Sequence, residues 1–292
     1  MSEKFNLSRL LSSYKVEEQL KTFTYMITKF RFLALVLAVA TLSLQCTTDN
    51  DDAPKVPNII DQYFKAGTFS FEGKTLNYKV SHLNPGQEGE APLVVVLHGQ
   101  YANGSDNEAQ LHQDAMIKIW HYLNTSANKA VMFAPQCPTG SEWDENPAKL
   151  SRVSMPELLK AALDEFIKKQ PGIDKSRIYI LGYSDAYKPA GGGGVWRMLN
   201  EYPDMFAASM VVAADPDDSI SPANIAKTPV MLVKGETDIY AVSMVLDTFA
   251  DLVHEAGGTL REEIIQIGSR EDLCREAFTD ERLDWVMQYR KQ

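Results

Sequence analysis

The chain has 292 residues, 45% of them apolar and 10% aromatic, enough to bury a sizeable core. Charged residues make up 23%, which argues against a disordered or collagen-like chain, and a net charge of -10 argues against a nucleic-acid partner. Three Cys do not suffice for a disulfide-dense miniprotein or a Cys-rich zinc domain, and no pair of His has metal-ligand spacing.

Residues 32–44 form a nearly unbroken apolar run behind Lys29 and Arg31. The run is too short to span a bilayer and has the basic flank of a secretory signal. Thr41-Leu42-Ser43-Leu44-Gln45-Cys46 resembles a bacterial lipoprotein signal, with Ser43 and Gln45 departing from the usual residues. That resemblance implies cleavage before Cys46, a lipid on its sulfur, and a cell-envelope location held by the anchor. Residues 1–45 then read as an N-terminal extension and signal peptide, residues 46–66 as an acidic, Pro-containing linker, and residues 67–292 as the folded domain. Residues 1–45 carry six Lys or Arg against three Glu, so their removal moves the net charge from -10 to -13.

Residues 68–81 alternate apolar and polar about Glu72-Gly73-Lys74, a hairpin signal. Residues 92–97 and 129–135 are continuous apolar runs, the mark of strands buried on both faces. Residues 101–127 and 136–153 read as loops. Residues 155–169 place Leu158, Leu159, Ala162, Leu163 and Phe166 at helical spacing. Further strands are expected at 177–181, 207–213, 229–233 and 260–267, and helices at 195–202, 243–256 and 276–289. This alternation predicts one doubly wound, mostly parallel α/β domain with helices on both faces. The run Gly191 to Gly194 lacks the spacing of a phosphate-binding loop, and no cofactor is implied.

Leu97-His98-Gly99-Gln100, Gly104-Ser105-Asp106-Asn107, Ala134-Pro135-Gln136-Cys137-Pro138, Gly182-Tyr183-Ser184, Gly235-Glu236-Thr237-Asp238 and Ala277-Phe278 occur in that order. Together they resemble the α/β-hydrolases, and more narrowly the exported esterases and predicted peptidases related to polyhydroxybutyrate depolymerases. The resemblance implies Ser184 as nucleophile, Asp238 as the acid that orients a base, and the N–H groups of Gln100 and Asp185 as oxyanion donors. It implies a small ester or acylated glycan as substrate. His98 is expected to pack and hydrogen-bond within its turn. Cys137 and Cys274 fall in loops at the catalytic edge, where they either form a disulfide or remain two buried thiols.

Three departures stand against that pattern. Six residues, Asp185 to Ala190, separate Ser184 from Gly191. If the helix keeps its register, Pro189 takes the nucleophile's place; if the strand end sets it, Ser184 does. Glu271 occupies the position of the triad His, and no His follows His254. Lys234 replaces a His before Gly235. The sequence therefore supports two functions. One is an exported serine esterase acting through Ser184; the other is a catalytically impaired binding protein on the same fold.

Overall fold

The computed structural model describes residues 60–81, 91–125, 129–184, 190–236, 243–266 and 269–291. All lie within a single compact unit, Pro57–Gln292. The signal segment, Cys46, Asp185 and Asp238 fall outside the described residues.

The predicted hairpin is β1 (Phe64–Phe71) and β2 (Lys74–Ser81), joined through Glu72 and Gly73, both with positive φ. A two-residue turn of that kind matches the twist of the flanking strands. Ile60 is fully buried and packs in one cluster with Phe64, so the folded domain begins before residue 67.

The remaining strands are β3 (Ala91–Leu97), β4 (Val131–Gln136), β5 (Ile173–Tyr183), β6 (Ala208–Val212), β7 (Val230–Gly235) and β8 (Leu260–Ile265). They join the hairpin in the order β1-β2-β4-β3-β5-β6-β7-β8. Strands β3 to β8 are mutually parallel, and β1 and β2 are antiparallel to their neighbours. Every residue of β3, β4, β6 and β7 is buried, which accounts for the continuous apolar runs in the sequence.

The helices are α1 (Asp114–Thr125), α2 (Met155–Lys169), α3 (Ala190–Glu201), α4 (Pro222–Ile225), α5 (Ser243–Glu255), α6 (Arg270–Ala277) and α7 (Asp280–Met287). A reciprocal capping box between Ser154 and Glu157 starts α2. Helices α2, α3 and α5 pack with Leu93, Val95 and Leu97 on one face of the sheet. Helices α1, α6 and α7 pack with Val94 and Val96 on the other. The odd–even split along β3 is the period-2 alternation of a strand covered on both sides.

Two expectations are corrected. Helix α1 lies in a stretch read as loop, with Ala115, Met116, Ile119, Tyr122 and Leu123 buried along one stripe. The single closing helix expected at 276–289 is instead the pair α6 and α7. Thr279 interrupts it by accepting a bond from the Arg282 N–H and capping α7.

Candidate active site

In open parallel sheets, ligands bind at the carboxyl ends of the strands. The carboxyl end of β5 is Gly182-Tyr183-Ser184, central in this sheet. Gly182 pairs with Leu97 of β3, and Tyr183 with Val212 of β6. A Cβ on Gly182 would sit 2.2 Å from the Gly191 carbonyl oxygen. A Cβ on Gly191 would sit 2.0 Å from the Leu97 oxygen, and one on Gly192 2.5 Å from the Ala214 Cβ. The glycine run is therefore a packing device. It lets the first turn of α3 dock against backbone at the ends of β3, β5 and β6.

Those contacts fix α3 by its glycines, and Ala190 opens the helix. Ser184 stands six residues before it, and Asp185 to Pro189 lie outside the described residues. The Ser184 N–H donates to the Val212 oxygen at 3.1 Å, so sheet pairing continues through it. Among the described residues, positive φ outside glycine occurs at Glu72, Asn107 and Ala213, and not at Ser184. Ser184 itself thus does not have the left-handed backbone of a strained residue. It is fully buried.

Helix α6 follows β8, the place assigned to the base. Its cap is Ser269, which accepts from the Asp272 N–H. Its first residue, Arg270, directs Nη1 at the Ser184 Oγ, a long contact of 3.4 Å. One turn on, the Cys274 thiol donates to the Ser184 carbonyl oxygen at 3.3 Å. Glu271, predicted at the base position, is exposed. Sequence reasoning missed Arg270 by one residue. The Ser269-x-x-Asp272 cap was the signal that could have placed it at the head of a helix.

A guanidinium donates hydrogen bonds and cannot take a proton from a serine near neutral pH. Among the described histidines none takes the place of the missing imidazole, and His82 lies outside the described residues. His112, His121 and His254 are exposed. His98 is fully buried and engaged at both nitrogens. Its Nε2 accepts from the Cys137 N–H at 2.9 Å, which leaves Nδ1 to donate to the Gly99 oxygen at 2.6 Å. Burial lowers its pKa to about 4, so it is neutral at neutral pH. The expectation that His98 serves its turn is the arrangement observed.

Gln113, also missed from sequence, links two strand ends. Its Oε1 accepts from the Gly99 N–H at 3.2 Å and from the Tyr183 hydroxyl. Gln100 follows in a single 3-10 turn, Gln100–Ala102, and is half-buried. It lines a pocket of about 250 Å³ with Asn103, Ser141, Glu142, Trp143, Asp144 and Ala190. Burial and then the neighbouring Glu142 raise the Asp144 carboxyl from 3.8 to about 6.

These features can be set beside known proteins. No protein-family profile matches the chain. Over 141 residues, 46% of this chain, it is 29% identical to the poly(3-hydroxyalkanoate) depolymerase C of Paucimonas lemoignei. That stretch is 30% of the depolymerase, so the chain spans under a third of the curated relative it matches. A thermostable esterase superposes with a TM-score of 0.67 at 23% identity, over 80% of this chain and 64% of that one. The S-formylglutathione hydrolase of Staphylococcus aureus gives 0.58 at 13% identity, over 77% and 98%. The dienelactone hydrolase of Anabaena variabilis gives 0.53 at 16% identity, over 78% and 98%. The protein has the α/β-hydrolase fold.

Within the α/β-hydrolase fold, two further positions can be placed. Lys234 is buried near the end of β7 and pairs with Asp247 and with Glu262, the latter at 2.5 Å. These ion pairs give it a structural role between β7, β8 and α5. Cys137 and Cys274 are both buried thiols, so the disulfide alternative is not realised. Cys137 packs on the face of α2, α3 and α5, and Cys274 on the face of α6 and α7. The sheet lies between the two thiols. Among the described residues, no group of three or more His, Cys, Asp or Glu could hold a metal ion.

Proposed function

We propose that this esterase-like α/β-hydrolase fold serves ligand binding, with a cleft that recognises a carboxylic ester or acylated glycan and little or no power to hydrolyse it. The observation that carries this reading is Arg270, a proton donor beside the position expected for the base, directed at the oxygen of a fully buried Ser184. Loss of one triad member in a serine hydrolase costs on the order of 10⁴ to 10⁶ in turnover. The relative's depolymerase name and the neighbours' esterase names motivate the ester chemistry of the ligand. The exported, lipid-anchored location belongs to the same proposal and rests on the sequence around Cys46. Retention of the wild-type chain in a membrane fraction, and release of Cys46→Ser, tests that part.

The hydrolytic part is tested with p-nitrophenyl acetate. The expected turnover is indistinguishable from that of Ser184→Ala. A serine esterase remains the second reading, favoured by the place of Ser184 at the end of β5 and of Asp238, in sequence, after β7. Turnover well above background that vanishes in Ser184→Ala would establish that reading instead.

A further inference from the structure

On the sheet face that α2 covers, the hairpin leaves a groove of about 760 Å³, within the range that holds small-molecule ligands. It lies between β1 and β2 on one side and the C-terminal half of α2 on the other. Strand β1 stands four places from β5 in the sheet, about 19 Å at the usual strand spacing. The groove is therefore separate from the Ser184 centre.

Its walls follow from residue spacing. Phe64 packs on the opposite face, so alternation turns Lys65, Gly67 and Phe69 towards α2. Across the hairpin, Lys65 pairs with Val80 and Gly67 with Tyr78. On α2, Ala162, Glu165, Phe166 and Lys169 share one face at helical spacing. A Cβ on Gly67 would sit 2.2 Å from the Tyr78 ring, so the missing side chain lets that ring lie across β1 as a floor. The ring stacks on Phe133 at 4.7 Å, and the fully buried Phe133 meets Phe166 at 5.3 Å. The floor is thus anchored in the core, while Phe69, Tyr78, Val80 and Phe166 stay only partly buried. Walls fixed in this way need little ordering when a ligand enters.

Shape and charge decide the ligand class. The four partly buried side chains turn hydrocarbon towards the groove, and an apolar body would remove it from water. The charged lining is Lys65, Glu165 and Lys169. Glu165 is taken by Lys169 at 2.6 Å, whereas exposed Lys65 has no carboxylate at ion-pair distance among the described residues. Lys168 and Lys169 also offset the carbonyl end of α2. In a chain of net charge -10, the groove thus carries one ammonium that no carboxylate neutralises. A cation would meet repulsion there, and a sugar would leave the aromatic walls wet. We infer that the groove between β1 and α2 binds a monocarboxylate with an apolar body, a free fatty or aryl acid. Its hydrocarbon lies on Phe69, Tyr78 and Phe166, and its carboxylate meets Lys65. This site goes beyond the reading of the Ser184 cleft and does not depend on it.

Octanoate and hydrocinnamate serve as probes, with octanol and octylammonium as neutral and cationic counterparts, in calorimetric titrations of the purified chain at low salt. At least one of the two acids is expected to bind saturably, and octanoate more tightly than either counterpart. Lys65→Glu is expected to weaken the acid about fivefold, the scale of exchanging an exposed attraction for a repulsion, and to leave octanol unchanged. Added salt is expected to act in the same selective way. Phe69→Ala is expected to weaken acid and alcohol alike, because it removes apolar wall rather than charge. Lys65→Met tests the head group without touching that wall, and keeps the inference open to refutation should Phe69→Ala fail to fold. Absence of saturable binding by both acids overturns the inference. So does acid binding that is indifferent to both Lys65 substitutions, or octylammonium binding as tight as that of octanoate. No ester takes part in these titrations, so their outcome is independent of turnover at Ser184.

Discussion

His98→Ala separates a structural histidine from a catalytic one by the way its cost changes with pH. At neutral pH the substitution leaves the Cys137 N–H buried without its acceptor and removes a ring packed on Trp143. An unpaired buried N–H costs about 1–3 kcal/mol, and the lost packing brings the total to about 3–4 kcal/mol. The wild type carries a second, pH-dependent contribution. Its folded pKa is lowered from 6.5 to about 4, so the unfolded chain takes up the proton first as the pH falls. The stability that His98 confers is therefore present above pH 6.5 and is lost as the pH drops towards 4. Between about pH 7.5 and about pH 4.5 the loss is about 2.5 kcal/mol, at 1.36 kcal/mol per pKa unit. Urea unfolding of both proteins at the two pH values measures it. The penalty of His98→Ala is expected to shrink from about 3–4 to about 1 kcal/mol on acidification. A penalty equal at both pH values would refute a buried, neutral imidazole and leave the ring open to proton transfer.

Three more outcomes follow from the same contacts. Gly191→Ala drives a methyl group into the Leu97 carbonyl oxygen, and is expected to lower unfolding stability by about 3 kcal/mol or more; a loss below about 1 kcal/mol would mean that α3 does not dock there. Asp144→Asn is expected to stabilise the fold above pH 7 by up to about 3 kcal/mol, because the folded carboxyl is raised from 3.8 to about 6 and its ionisation opposes folding. The native contribution is present below pH 3.8 and lost as the pH rises through 6, so the advantage of Asn should disappear on acidification; a constant advantage would contradict it. Cys137 and Cys274 are both expected to react as thiols in denaturant without reductant, and a disulfide-linked peptide by mass spectrometry would contradict their places on opposite faces. Burial holds the Cys137 thiol above its ordinary pKa, so it should resist alkylation until the chain unfolds.

The elements most visible in the sequence are those whose burial pattern is simplest. Strands β3, β4, β6 and β7 are buried throughout and read as apolar runs. Helix α2 has a full capping box and an amphipathic stripe, and its bounds are those expected. Helix α1 has a comparable stripe, but it lies among 3-10 turns in a segment rich in His, Gln and Asn, whose composition reads as loop. The site was legible in its order along the chain and illegible in its orientations. Whether Cys137 and Cys274 meet depends on which sheet face each loop joins, and a sequence pattern does not report that for isolated residues. Glu271 fell at the base position by counting back from Ala277, yet the helical turn begun at Ser269 turns Arg270 to Ser184 and leaves Glu271 in solvent. The Gly191 to Gly194 run lacks the spacing of a phosphate loop. Its purpose, contact with backbone oxygens of β3, exists only once the sheet is assembled.

The central claim is that Ser184 is not an activated nucleophile, and its reaction with a fluorophosphonate tests that most directly. The purified chain and its Arg270→His variant would be incubated with the reagent and the Ser184 peptide analysed by mass spectrometry. The account predicts no adduct on wild-type Ser184 under conditions that fully label a serine esterase. Rapid, stoichiometric modification of wild-type Ser184 would contradict it and show that the site supplies a base of its own.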